Sequence, residues 1–302
     1  MDGPLASLQP DFDQAQVLLY QPWPVFRDVF RGLLQGIGFR RFTYADSIDD
    51  LAKRLAKPDF ALAVVHEEGG WDERDETIDI VRRLRRGALG GDPFLPTVMT
   101  SAQVTGRVAR GAVNGGVDQF WTLPVRLTVV RDGIEALVLR RPRFVVTTDY
   151  MGPDRRKSTR GGMEIPRIEV PNALRNRLLG EEAPATVIAY RRLFDRLRVE
   201  RQVDQVGWLR ARLQEGPGKE RRDLLLARLL EVAEDMRERI PRTRHRGQHR
   251  ISQRLLELAA TVQDGLRDGD LDELERLHLE LVDKVQPVVA AGDLSVEDAE
   301  DL

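Results

Sequence analysis

Short apolar runs alternate with amphipathic stretches through the first half of the chain. Val17-Leu18-Leu19-Tyr20, Arg41 to Ala45, Phe60 to Val65, Leu95 to Met99 and Val117 to Trp121 have strand length. The third is apolar throughout, as expected of a central parallel strand covered on both faces. Between them apolar residues recur at helical spacing, as in Val25-Phe26, Val29-Phe30 and Leu33-Leu34, or Ile78, Ile80-Val81 and Leu84. Val104, Val108 and Val113 mark a fourth helix and Leu127, Val130, Ile134 and Leu137 a fifth, the latter expected over Pro124 to Leu139. Glycines and prolines fall where these patterns stop, and Ser47 stands where a helix cap is needed. Strand–helix alternation of this kind predicts a parallel sheet with helices on both faces, over residues 15–142.

The pattern then changes. Residues 143–183 read as an extended strap and linker, interrupted by Gly and Pro. From 184 to 302 no strand is expected. Helical stripes run through Val187-Tyr190-Leu193-Leu197, Val203-Val206-Leu209-Leu213 and Leu224-Leu225-Leu229-Val232-Met236. Two more follow, Ile251-Leu255-Leu258-Val262-Leu266 and Leu271-Leu274-Leu277-Leu281-Val285. Breaks at Gly216-Pro217-Gly218, Pro241 and Gly269-Asp270 make this an antiparallel all-α helical bundle. Residues 1–14 read as an N-terminal tail, and Ser295 to Asp298 as a short capped helix.

Composition narrows the function classes. A chain of 302 residues holds two domains, each able to bury a core. The net charge of −2 gives no general attraction to nucleic acid or anionic membranes. With no cysteine, disulfides, thiolate zinc sites and cysteine nucleophiles are excluded. His66, His245, His249 and His278 are too scattered to suggest a metal cluster. No apolar run reaches the roughly 18 residues of a membrane span, and the acidic N-terminus lacks a secretory signal pattern, so a cytoplasmic location is expected.

The polar residues that close the strands carry the strongest clue. They are Gln21-Pro22 after the first, His66-Glu67-Glu68 after the third, Thr100-Ser101 after the fourth and Leu123-Pro124 after the fifth. In order and spacing this half resembles the receiver domain of bacterial response regulators, which implies a flavodoxin-like (CheY-like) doubly wound parallel sheet of five strands. The following Phe144-Val145-Val146-Thr147-Thr148-Asp149-Tyr150-Met151-Gly152-Pro153-Asp154-Arg155-Arg156 resembles a "GPDRR" extension found in an alphaproteobacterial group of these proteins. In that family the strand ends hold an acidic pair, a phosphorylated Asp, a Ser/Thr and a Lys-Pro. Here the corresponding residues are Gln21 and Pro22, about His66, Ser101, and Leu123 with Pro124. Aspartyl phosphorylation needs a carboxylate nucleophile, acidic oxygens for Mg²⁺ and a cation. The resemblance therefore implies a degenerate receiver site made of Gln21, Pro22, His66, Glu67, Glu68, Ser101 and Leu123, without phosphorylation chemistry.

Glu67 and Glu68 read either as an acidic surface for a partner or as a solvated loop, together with Asp72 and Asp75. His66 beside Glu67 and Glu68 offers metal-ligand types, but neighbours on one strand end rarely converge on an ion, so no metal and no cofactor are expected. The basic stretch Arg242 to Arg250 has no interleaved aromatic residue and reads as a solvated interhelical loop. Nothing resembles a P-loop, a nucleophile elbow or a dinucleotide fingerprint. The expectation is a non-enzymatic signalling adaptor in a two-component or phosphorelay pathway, acting through protein contacts. Its expected partner is a histidine kinase, a phosphotransfer protein or another regulator; a homodimer stays open, and nucleic acid and membrane are not expected. The alternative is a self-assembling scaffold in which the first domain is a spacer.

Overall fold

The computed structural model describes residues 4–68, 75–102, 105–155, 165–181, 187–243, 245–267, 269–285 and 293–294. They form two compact units. One comprises residues 1–145, 150–187 and 293–296, the other 146–149, 188–292 and 297–302.

In the first unit, β1 (Gln16–Tyr20), β2 (Arg41–Ala45), β3 (Leu62–His66), β4 (Thr97–Ser101) and β5 (Gln119–Thr122) form a parallel sheet in the order β2-β1-β3-β4-β5. This is the doubly wound, CheY-like order, with the first strand inside the sheet and a switch point between β1 and β3. The period of two along each strand sorts side chains to opposite faces. Val17 and Leu19 of β1, with Leu62 and Val64 of β3, face a core closed by α1 (Pro24–Ile37) and α5 (Leu127–Leu139). Leu18 and Tyr20, with Ala63 and Val65, face the opposite core under α2 (Ile48–Leu55), α3 (Glu76–Arg85) and α4 (Gly106–Gly115). Because both faces are covered, β3 and β4 are buried along their whole length.

Local chemistry sets the helix starts. Pro24 occupies the first turn of α1, where its missing N–H costs no hydrogen bond. Ser47 caps α2 through the Asp50 amide at 3.1 Å, Asp75 caps α3 through Thr77 and Ile78, and Thr105 caps α4 through Val108. The fifth helix begins at Leu127, after the cis Leu123-Pro124 bond, rather than at Pro124.

The segment expected to be strap and linker is more ordered than its sequence pattern suggested. β6 (Phe144–Val146), β7 (Met151–Pro153), β8 (Arg167–Ile168) and β9 (Asp293–Leu294) form a second small sheet in the order β7-β6-β8-β9. α6 (Ala173–Leu179) then buries Leu174 and Leu178 in the same core as α1 and α5, capped by Asn172. The N-terminal tail joins this core too, through Leu5 and Phe12.

In the second unit the first two expected helical stripes are one helix, α7 (Val187–Gln214), because no Gly or Pro separates Leu197 from Val203. It packs with α8 (Lys219–Arg239), α9 (His249–Thr261) and α10 (Asp270–Lys284) around Val206, Leu229, Met236, Leu255, Leu277 and Leu281. The helix expected at Ser295 to Asp298 lies outside the described residues, as do Asp72 and Val104.

Candidate functional site

The carboxyl ends of β1, β3 and β4 converge, and a parallel ladder decides which side chains meet there. Val65 is in register with both Tyr20 and Met99, and His66 with Thr100. Gln21, one residue past β1, stands beside His66 in the same step. The Gln21 amide donates from Nε2 to Thr100 Oγ1 at 3.0 Å, and His66 Nδ1 lies 2.9 Å from the same oxygen. All three residues are buried. The Thr100 hydroxyl carries one proton. It donates to His66 Nδ1, or to the Val65 carbonyl at 3.4 Å with His66 then donating from Nδ1. In either arrangement it is the low pKa that makes the imidazole neutral. Burial holds the His66 pKa down at about 4, against the opposing pull of Asp75. The Trp23 ring stands edge-on to the imidazole, centroids 5.0 Å apart.

Ser101 points the other way from Thr100, as alternation demands. Its hydroxyl donates to Glu67 Oε1 at 2.7 Å, and both residues are buried. Glu68 accepts a hydrogen bond from the Tyr20 hydroxyl. Burial first, and then Glu68, push the Tyr20 phenol well above its ordinary range. Pro22 is half-buried and offers no polar side-chain atom. Leu123 is also half-buried and packs against the α1–α5 core, while its amide donates to the Ser101 carbonyl at 2.8 Å.

The residues singled out in sequence thus fall into three places. Gln21 and His66 share Thr100, Glu67 pairs with Ser101, and Glu68 turns to Tyr20. Pro22 and Leu123 contribute shape only. Sequence reasoning missed Tyr20 and Thr100, which organise the site. Both ended apolar runs, so the signal was present, but which strand-end residues face each other depends on strand order. The nearby carboxylates each have a partner, Glu67 in Ser101, Glu68 in Tyr20 and Asp75 in the start of α3, and among the described residues no group of three or more His, Asp or Glu side chains could hold a metal ion. Where divalent-cation chemistry needs anionic oxygens, the Gln21–Thr100–His66 set presents an amide, an imidazole and a hydroxyl, with the buried Gln21 Oε1 left without a partner.

A second buried polar cluster lies at the opposite, amino-terminal end of the sheet. Asp118 accepts from Arg85 at 2.8 Å, from Arg141 at 2.7 Å and from the Thr97 amide at 2.8 Å. Arg85 spends its other donors on the carbonyls of Gly116, Pro93 and Leu95, and both guanidiniums lie against the Phe144 ring. The Gly-Pro-Asp-Arg phrase closes over this cluster. A Cβ on Gly152 would come within 3.0 Å of the Gly116 Cα. The Pro153 carbonyl accepts from Tyr150, Asp154 pairs with Arg167 at 3.0 Å, and Arg155 caps the carbonyls of Val117 and Asp118. Its residues therefore have structural duties. In the second unit Asp235 gathers Arg198 at 2.7 Å, Arg239 at 2.9 Å and Gln202 between α7 and α8. Burial would raise its carboxyl, but Arg239 and Arg198 outweigh that and hold it well below the usual range.

No family model matches the chain, and no curated protein matches it either. Solved structures do resemble its first part. The chemotaxis protein CheY4 of Vibrio cholerae is 14% identical, with 40% of this chain and 96% of that one covered and a TM-score of 0.34. A response regulator from Thermotoga maritima is 17% identical over 40% and 94% of the two chains, TM-score 0.33. An orphan response regulator from H. pylori is 20% identical over 40% and 94%, TM-score 0.33. The fold assignment itself rests on strand order and register.

Proposed function

We propose that this chain is a signalling adaptor of the two-component or phosphorelay type, in which a receiver-like domain serves protein recognition rather than phosphoryl transfer. The observation that carries the reading is the set Gln21–Thr100–His66. It places an amide and an imidazole, both joined to the Thr100 hydroxyl, where β1, β3 and β4 end. The hydroxyl of Ser101, which in the resemblance answers a phosphoryl group, is already bonded to the buried Glu67 carboxylate. A Ser101 hydroxyl already spent on Glu67, beside a Gln21–Thr100–His66 set with no carboxylate, supports a domain of fixed state. We read the chain as non-enzymatic, with a protein as its partner: a histidine kinase, a phosphotransfer protein or another regulator. Affinity capture of the full-length chain from its own cells tests this. Stoichiometric recovery of one of those partners supports the adaptor; recovery of the chain alone, as a stable oligomer, contradicts it and favours self-assembly.

A further inference from the structure

The outer face of α1 is apolar where solvent would favour polar residues. Phe30, Leu34 and Ile37 face inward and are buried in the core. On the far side Val25 is 71% exposed and Val29 46%. At helical spacing their stripe continues through Gly32 and Gly36. Single exposed apolar residues are ordinary, but these two stand one turn apart on one line.

Nothing within the chain accounts for the glycines on that line. Both lie inside α1, in ordinary helical backbone. A Cβ on Gly32 would meet nothing within 4 Å, and one on Gly36 would make only van der Waals contact with Leu127, at 3.7 Å. Glycine weakens a helix more than any residue but proline, and here neither a turn nor close packing inside the chain requires it. The two glycines do leave a shallow place on the helix surface where another side chain can settle.

The face is complementary to itself. Set a second α1 antiparallel to the first, with a two-fold axis midway between Val29 and Gly32. Val29 then stands over Gly32 of the other copy and Val25 over Gly36, each valine filling the space that a glycine leaves. Along one edge the half-buried Phe26 and Leu33 fall opposite each other. Along the other, the exposed Gln35 amide meets Asp28, whose carboxylate pairs with Arg31 at 3.1 Å and keeps further acceptor capacity. A parallel copy would instead set valine on valine, glycine on glycine and Asp28 on Asp28. The antiparallel arrangement uses one patch twice, as a closed two-fold dimer does.

We propose that the Val25-Val29-Gly32-Gly36 face of α1 joins two copies of this chain, packed antiparallel about that axis. A single helix pair buries less than the roughly 1,600 Å² of a standard interface, so the dimer forms at about micromolar concentration. The proposal does not rest on the adaptor reading, which concerns a partner of another kind.

The test is the mass of the full-length chain in sedimentation, followed over about 1–200 μM, where it passes from monomer to dimer. Gly32→Leu fits the chain's own open space and favours the helix, so it leaves the melting temperature no lower while weakening the dimer at least about ten-fold. Val29→Arg weakens it likewise. Orientation is read with cysteines, since the chain has none of its own. Mild oxidation of Val25→Cys mixed with Gly36→Cys yields a covalent dimer. Val25→Cys alone does not, because its two copies lie about 17 Å apart along the helices, beyond the reach of a disulfide. A chain that stays monomeric over the whole range, a Gly32→Leu variant that dimerises like the wild type, or Val25→Cys crosslinking alone as fast as in the mixture overturns the proposal.

Discussion

Lowering the pH from 7 to 5 should destabilise the first unit through one residue, His66. The imidazole is 1% exposed and its pKa is held at about 4. In the unfolded chain it titrates near 6.5, so on acidification the unfolded state takes up a proton that the folded state refuses. The stabilisation is whole above about pH 6.5, falls away as pH drops toward 4, and is flat below. The full difference of 2.5 units corresponds to at most about 3.4 kcal/mol, of which about 1.8 kcal/mol is lost between pH 7 and pH 5. In the second unit His278 is also held low, by burial first, and adds a loss of the same sign on acidification. Comparison with His66→Asn separates the two histidines, because Asn keeps a hydrogen-bonding group near Thr100 but cannot titrate. Urea denaturation at both pH values should show the wild type losing about 1.8 kcal/mol more than the variant. The Cε1–H resonance of His66 should still be that of a neutral ring at pH 5.5. Equal losses in the two proteins, or a His66 resonance titrating near 6.5, would refute the reasoning.

Three further outcomes follow from named contacts. Asp118→Asn leaves Arg85 and Arg141 buried without a countercharge and should cost about 3–5 kcal/mol in chemical denaturation of the first unit; a loss below about 1 kcal/mol would show that the carbonyls alone suffice. Gly91→Ala would place a Cβ 1.8 Å from the Leu55 carbonyl oxygen, a backbone atom that cannot step aside, so a lowered melting temperature is expected and an unchanged one contradicts the packing of this loop on α2. Asp235→Asn should destabilise the helical unit by about 2–3 kcal/mol at neutral pH, since Arg198 and Arg239 lose their shared carboxylate. Because Asp235 is held below its unfolded pKa, its contribution is present above about pH 4 and fades on acidification, so wild type and variant should converge in acid.

The sheet was legible because its strands are buried on both faces and punctuated by Gly, Pro and capping residues; the five apolar runs coincide with β1 to β5 to within a residue or two. The helical half was legible as helices but not as their number, since the joint between the first two stripes rested on spacing without a breaker. α6 escaped notice because two buried leucines, Leu174 and Leu178, carry too short a stripe to register. β9 escaped because its two residues acquire strand conformation from β8, far off in sequence. At the strand-end cleft, Gln21, His66 and Ser101 were found from their place after apolar runs. The roles of Tyr20 and Thr100 were not, because they depend on which strands adjoin and which way alternate side chains face. The segment after α5 stood out as a phrase, but its place over Arg85, Asp118 and Arg141 was not legible, because those residues come together only through the strand order.

The central proposal is that the strand-end cleft around Gln21, Thr100 and His66 accepts no phosphoryl group. Incubating the full-length chain with acetyl phosphate and Mg²⁺ and weighing the intact protein tests it most directly. The account predicts an unchanged mass and no acid-stable or acid-labile phosphoryl adduct, with or without the magnesium. The addition of one phosphoryl group, removed by hydroxylamine as an acyl phosphate would be, would contradict it.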